Sequence, residues 1–156
     1  MQDTPNIIQL IGDKIIDIKM FSESQGENDW VDYILTFITL EKNGVINFPF
    51  SGAIDFGNVI LDERAKSISE TGQAMIIGQT IKELYYEFDE ENTPRNDWFA
   101  YIELDNGYVI HENRMAPYGT GGANLFLYTQ EQFLKIKNDE ENNLLPLSKI
   151  ITTLLD

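Results

Sequence analysis

The chain has 156 residues, with 11 lysines and arginines against 26 aspartates and glutamates, one histidine and no cysteine. That length suits one domain with an ordinary core, and the lack of cysteine excludes a disulfide framework, thiolate catalysis and cysteine-ligated zinc. A formal net charge of −15 argues against a nucleic-acid or anionic-lipid surface; it fits either attraction of basic partners or simple solubility, and charge alone does not separate the two.

The first residues, MQDTPNIIQLIGDK, lack a basic region followed by a long apolar run, so no signal peptide is expected. No apolar run approaches the roughly 20 residues that cross a bilayer. The expectation is a soluble, cytoplasmic, single-domain chain over 1–156.

Along the chain one pattern is spelled twice. Ile11-Gly12 leads the strand-like run IGDKIIDIKMF, the polar ESQGEND follows, then WVDYILTFITL, the turn Asn43-Gly44 and the strand VINFPF. Later, Ile77-Gly78 leads QTIKELYYEF, the acidic DEENTPRND follows, then WFAYIEL, the turn Asn106-Gly107 and YVIHE. Asn-Gly between alternating runs signals a hairpin with a type I′ turn. The two units, about 7–50 and 73–112, therefore read as similar three-stranded antiparallel meanders. NDWVDYI and NDWFAYI agree at five of seven positions. Asn-Asp offers a turn-closing side chain and Trp a large anchor at the start of each middle strand. Trp30 lies five residues further from Gly44 than Trp98 does from Gly107, which predicts a longer arm or a bulge in the first unit. In the second, Trp98, Ala100, Ile102 and Leu104 share a dry face, and Phe99, Tyr101, Glu103 and Asp105 a partly wet one.

Between the units, Ile60, Leu61, Arg64, Ala65 and Ile68 predict a short helix or irregular connection near 61–70. At the C-terminal side, Thr129 and Gln132 form a capping-box pattern before QEQFLKIK. Pro146 or Ser148 opens a final helix striped by Leu147, Ile150, Ile151 and Leu154. The helical C-terminal segment spans 129–155, and the class is α+β, mainly antiparallel.

Candidate chemistry is sparse. His111 has the pKa range of a general base, yet no cysteine or nucleophile-elbow serine accompanies it, and a strand-borne histidine is the plainer reading. Glu103, His111 and Glu112 would be the residues of a small acid/base or metal-assisted hydrolase. The loops ESQGEND and DEEN are rich in oxygen ligands but lack the EF-hand order. The three glycines of APYGTGG have no Gly-Lys-Ser/Thr ending, so they read as a loop and not as a phosphate cradle. No metal, cofactor or nucleic-acid ligand is expected.

The acidic stretches ESQGENDW and DEENTPRNDW, on a compact repeated β scaffold with nothing catalytic between them, resemble the small acidic immunity proteins that bacteria encode beside polymorphic toxins. The resemblance lies in overall character, and no functional residue is carried over from it. It implies a non-enzymatic protein, a monomer or weak homodimer, that occludes the active or substrate-binding surface of a basic toxin domain. Charged loops would steer such a partner and aromatic side chains would hold it. On that basis the expected partner-binding residues are Glu27, Asp29, Asp32, Tyr85, Tyr86, Asp89, Glu90, Glu91, Phe99, Tyr101 and Tyr118.

Overall fold

The computed structural model describes residues 6–24, 31–49, 57–88, 99–115, 121–139 and 143–147. A 3-10 helix over Asn6–Leu10 precedes β1 (Ile15–Glu23), β2 (Tyr33–Leu40), β3 (Gly44–Asn47) and the short β4 (Lys66–Ser67). Helix α1 (Glu70–Ile76) then precedes β5 (Ile81–Glu87), β6 (Tyr101–Leu104), β7 (Val109–Asn113) and β8 (Asn124–Tyr128). Helix α2 (Gln130–Lys137) and β9 (Leu144–Pro146) follow. The class is α+β with two antiparallel sheets, ordered β3-β2-β1-β4 and β8-β7-β6-β5-β9.

Each sheet contains one meander, and the two match residue by residue. Ile18, Ile38 and Ile46 pair across the first sheet as Leu84, Ile102 and Ile110 pair across the second. Both first strands shift register just after their start, between Ile15 and Asp17 and between Ile81 and Glu83. Both are preceded by a glycine in the left-handed region, Gly12 at φ 91 and Gly78 at φ 90, where a Cβ is disfavoured. The matching extends beyond the meanders. Val59 N–H donates to Val45 on the outer side of β3, as β8 lies outside β7, and β4 and β9 occupy the same place beside β1 and β5.

The six matched residues, with Ile15, Leu40, Ile81 and Leu104, are fully buried or nearly so, in one cluster between the sheets. This is ordinary apolar burial, worth about 1.5–3 kcal/mol for each large side chain. The 3-10 helix and α1 add Ile7, Leu10 and Ile76 to the same cluster.

Several expectations are refined. The second hairpin is not a two-residue type I′ turn. Gly107 N–H donates to Leu104 O and Leu104 N–H to Tyr108 O, which closes the three-residue loop Asp105-Asn106-Gly107 with glycine at its left-handed position. The first hairpin has Leu40 paired with Gly44, again leaving three residues between. The asparagines also act beyond their own turns. Asn43 Nδ2 donates to Gln9 O and Asn106 Nδ2 to Met75 O, tying each hairpin to the helical turn before its unit's first strand. The longer first arm is present, since β2 has eight residues and β6 four. Residues 61–65 are irregular and the helix begins at Glu70, with Ser69 accepting from Gly72 N–H as its cap. The Thr129–Gln132 capping box is formed on both sides. Pro146 belongs to β9 opposite Tyr85, so the C-terminal segment is not continuously helical from 129. Trp30, Trp98 and residues 148–156 lie outside the described residues.

Candidate functional site

The two sheets have distinguishable ends. At one, the hairpins and the paired glycines meet through the bridge Lys14–Thr80. At the other end, four segments leave the strands: 25–30 between β1 and β2, 50–56 after β3, 89–98 between β5 and β6, and 116–120 between β7 and β8. Contacts between their roots bring these departures together. Tyr33 bridges Met115, Ala100 N–H donates to Pro49 O, and Ala123 N–H donates to Val31 O. The four segments carry Glu27, Asp29, Asp55, Asp89, Glu90, Glu91 and Asp97 against the single cation Arg95, together with Trp30, Phe50, Phe56, Trp98 and Tyr118.

The roots are joined by buried polar groups. Asp32, expected to meet a partner, is 2% exposed, and its Oδ1 accepts from Gly121 N–H at 2.8 Å. It fastens the root of one segment to the end of another. Glu112 is fully buried between the sheets, where its Oε2 accepts from Thr36 N–H at 2.9 Å and its Oε1 pairs with Arg114 Nε at 2.8 Å. Burial pushes the Glu112 carboxyl above its ordinary pKa, against the pull of Arg114 and Thr36. The Arg114 guanidinium lies 4.5 Å over the ring of Phe99, and the Arg114 carbonyl accepts from Ile34 N–H. Phe99 is partly buried against the main core.

The outward face of the second sheet carries a row of rings, Tyr85, Tyr101, His111 and Phe126, side by side on four strands. The first three occupy the positions of Lys19, Phe37 and Asn47 in the first unit. Core positions thus match like for like while these outward ones diverge. Tyr101 stacks on His111 with centroids 4.0 Å apart and planes 8° from parallel. Phe133 of α2 packs on Tyr85 at 5.0 Å and Tyr101 at 5.6 Å. These two expected partner contacts are therefore partly covered by α2. Tyr86 points the other way and is 0% exposed, because successive strand residues take opposite faces. It is a core residue and not a surface contact. Glu27, Asp29, Asp89, Glu90, Glu91 and Tyr118 lie outside the described residues.

Glu103, His111 and Glu112 do not form one constellation. Glu103 and His111 face outward, and Glu112 faces the space between the sheets. Glu103 is engaged by Tyr85 Oη at 3.3 Å and Gln130 Nε2 at 3.0 Å. His111 Nδ1 lies 3.1 Å from Ala100 O, the contact of an Nδ1–H donor, and burial lowers its pKa to about 4. At neutral pH the imidazole is uncharged and a weak base. Tyr85 is pushed up to about 12, first by burial and then by Glu103, and Tyr101 is raised by burial, so both stay protonated. Among the described residues no three His, Asp or Glu side chains gather to hold a metal ion, and no helix is long and apolar enough to cross a membrane.

Sequence reasoning missed the Glu112–Arg114–Thr36 group. The signal that finds it is positional: one residue beyond the matched pair Asn47 and His111, the first unit has Phe48 and the second has Glu112. Compared with known proteins, the chain matches no family model, no curated protein and no solved structure.

Proposed function

We propose that the chain is a non-enzymatic acidic binding protein, an immunity protein that neutralises a cognate toxin by covering its active or substrate-binding surface. The observation that carries this reading is that the described residues flanking four segments meet at one end of the sheets, while the sequence of those segments has seven carboxylates, one cation and five aromatic residues. Clustered carboxylates raise the encounter rate with a cationic surface. Aromatic side chains among them supply the few contacts that set residence time. The partner is a basic protein domain, met by one copy of this chain, and no cofactor takes part.

Co-expression with the product of a neighbouring gene tests the reading. The expected result is a one-to-one complex, restored growth, and an association rate that falls steeply as salt rises. Absence of a complex at low salt, with toxicity unrelieved, removes it.

A further inference from the structure

The edge of a sheet presents unpaired backbone groups, and proteins blunt it with short strands, charges, proline, bulges or a covering segment. Three of the four edge strands here carry such a device. Beside β3, Val59 N–H donates to Val45 O. β4 is two residues long and exposes Lys66. β9 is three residues long and includes Pro146, which has no N–H to offer. The exception is β8. It runs for five residues, NLFLY, in unbroken register with β7 and without charge or proline.

The direction of its backbone groups follows from the ladder. Leu104 N–H donates to Tyr108 O, so Ile102 and Ile110 are the next hydrogen-bonded pair between β6 and β7. The amides of Val109, His111 and Asn113 then turn toward β8, opposite Tyr128, Phe126 and Asn124. That leaves Leu125 and Leu127 with N–H and C=O on the outer side. Two contacts agree with this parity. Ala123 N–H donates outward to Val31 O, and Leu125 N–H is met by the side chain of Asn124 at 2.8 Å. Among the described residues no strand lies outside β8. Leu125 and Leu127 pack on the main core, and Phe126 stacks on Tyr128 on the other face at 5.8 Å. All four side chains nevertheless stay partly exposed.

Charge decides what fits this edge. Residues 115–130 contain no Asp, Glu, Lys, Arg or His, the longest uncharged run in a chain of net charge −15. A basic partner gains nothing from an uncharged strand. A second copy, repelled by the acidic surface elsewhere, meets the least repulsion there. The strand is also complementary to itself. Antiparallel pairing about Phe126 sets Leu125 opposite Leu127 of a second copy, and both residues present outward N–H and C=O, so each pair exchanges both of its hydrogen bonds.

We propose that β8 is a self-association edge, through which two copies of this chain pair antiparallel along Asn124–Tyr128 and join their five-stranded sheets across a two-fold axis. The proposal rests on strand geometry and charge, independently of the binding function above. Edges this short bury less than the roughly 1,200 Å² of a stable interface, so the dimer is weak and reversible.

Sedimentation of the full chain from micromolar to roughly millimolar concentration tests this. The dimer should strengthen with salt, because the screening length falls from about 30 Å at 0.01 M to about 3 Å at 1 M. This is the opposite of the response expected for toxin association. Over the same range the Leu127 amide should exchange about tenfold more slowly, or slower still, in concentrated than in dilute protein, while Ile18 and Ile102 keep their rates. Phe126→Lys and Phe126→Glu should each weaken the dimer about tenfold or more, although they shift the net charge in opposite directions, because either sets like charges opposite each other at the axis. Leu134→Lys, at an exposed position of α2, should leave the dimer within about twofold. A chain that stays monomeric at roughly millimolar concentration in about 1 M salt overturns the proposal, as does a dimer that leaves exchange at Leu127 unchanged. Loss of the dimer in Leu134→Lys but not in the Phe126 variants moves the contact to α2 and also overturns it. If the Phe126 variants do not fold, exchange at Leu127 in the parent decides alone.

Discussion

The amide of Gly12 donates to Ile81 O at 2.8 Å and the amide of Gly78 donates back to Ile15 O at 2.7 Å, so each unit's first strand is closed by the other unit's glycine. The exchange is completed by Ile15 N–H to Gln79 O and Ile81 N–H to Asp13 O, both 2.9 Å. A duplicated fold whose halves share one ladder at this junction should unfold as one cooperative unit. Gly12→Ala and Gly78→Ala meet no atom within 4 Å, so their cost is conformational, about 1–2 kcal/mol each for holding alanine in the left-handed region. Urea unfolding should show similar losses for the two variants, and the double variant should depart from additivity because the sites share hydrogen bonds. Different losses, or two separate transitions, would show halves that do not support each other.

The repeat was legible because its marks are local: a glycine before each first strand and Asn-Gly before each third. Its register was not. The shared letters of NDWVDYI and NDWFAYI align Tyr33 with Tyr101 and Ile34 with Ile102. Strand pairing instead matches Phe37 with Tyr101 and Ile38 with Ile102. The longer β2 accounts for the offset, since the hairpins and the core fix the alignment and letters at the far end of a strand do not. Tyr86 and Asp32 escaped for another reason. Alternation says that Tyr85 and Tyr86 face opposite ways but not which way is in. The amide that captures Asp32 comes from Gly121, remote in sequence.

His111 gives the stability a sign with pH. Burial lowers its pKa from 6.5 to about 4, so the unfolded chain takes up a proton before the folded chain does. Stability from the neutral ring is fully present above about pH 6.5 and is lost as pH falls toward 4, by up to about 3 kcal/mol. Glu112 acts in the opposite sense, because its raised pKa lets the folded state gain a proton more readily in acid. Urea midpoints for the parent and His111→Phe, taken between pH 7 and pH 4, should show a shallower acid loss in the variant. Parallel curves would mean that the imidazole is not held neutral.

Phe133 is fully buried where α2 meets Tyr85 and Tyr101. Phe133→Ala should lower unfolding free energy by about 3–5 kcal/mol, and exchange of α2 amides should quicken more than that of β1. Equal quickening in both would place α2 within the main cooperative unit instead of on top of it.

Charge placement, as distinct from charge amount, is the last consequence. Glu90→Lys/Glu91→Lys changes the acidic segment that follows β5 in sequence. Glu41→Lys/Glu131→Lys changes exposed residues at the hairpin end, where Glu41 precedes Gly44 and Gln130 reaches Gly107 O. Each pair raises the net charge by the same amount, from −15 to −11, two substitutions of −1 by +1 in each case. Long-range attraction by net charge alone would slow association with the proposed toxin partner equally for both. Above 0.1 M salt, where the screening length is about 10 Å or less, only charges close to the docking surface continue to act. The acidic-segment variant should then associate about tenfold more slowly than the parent and the hairpin-end variant within about twofold. Equal slowing of the two pairs under these conditions would detach recognition from the end of the scaffold where the four segments leave.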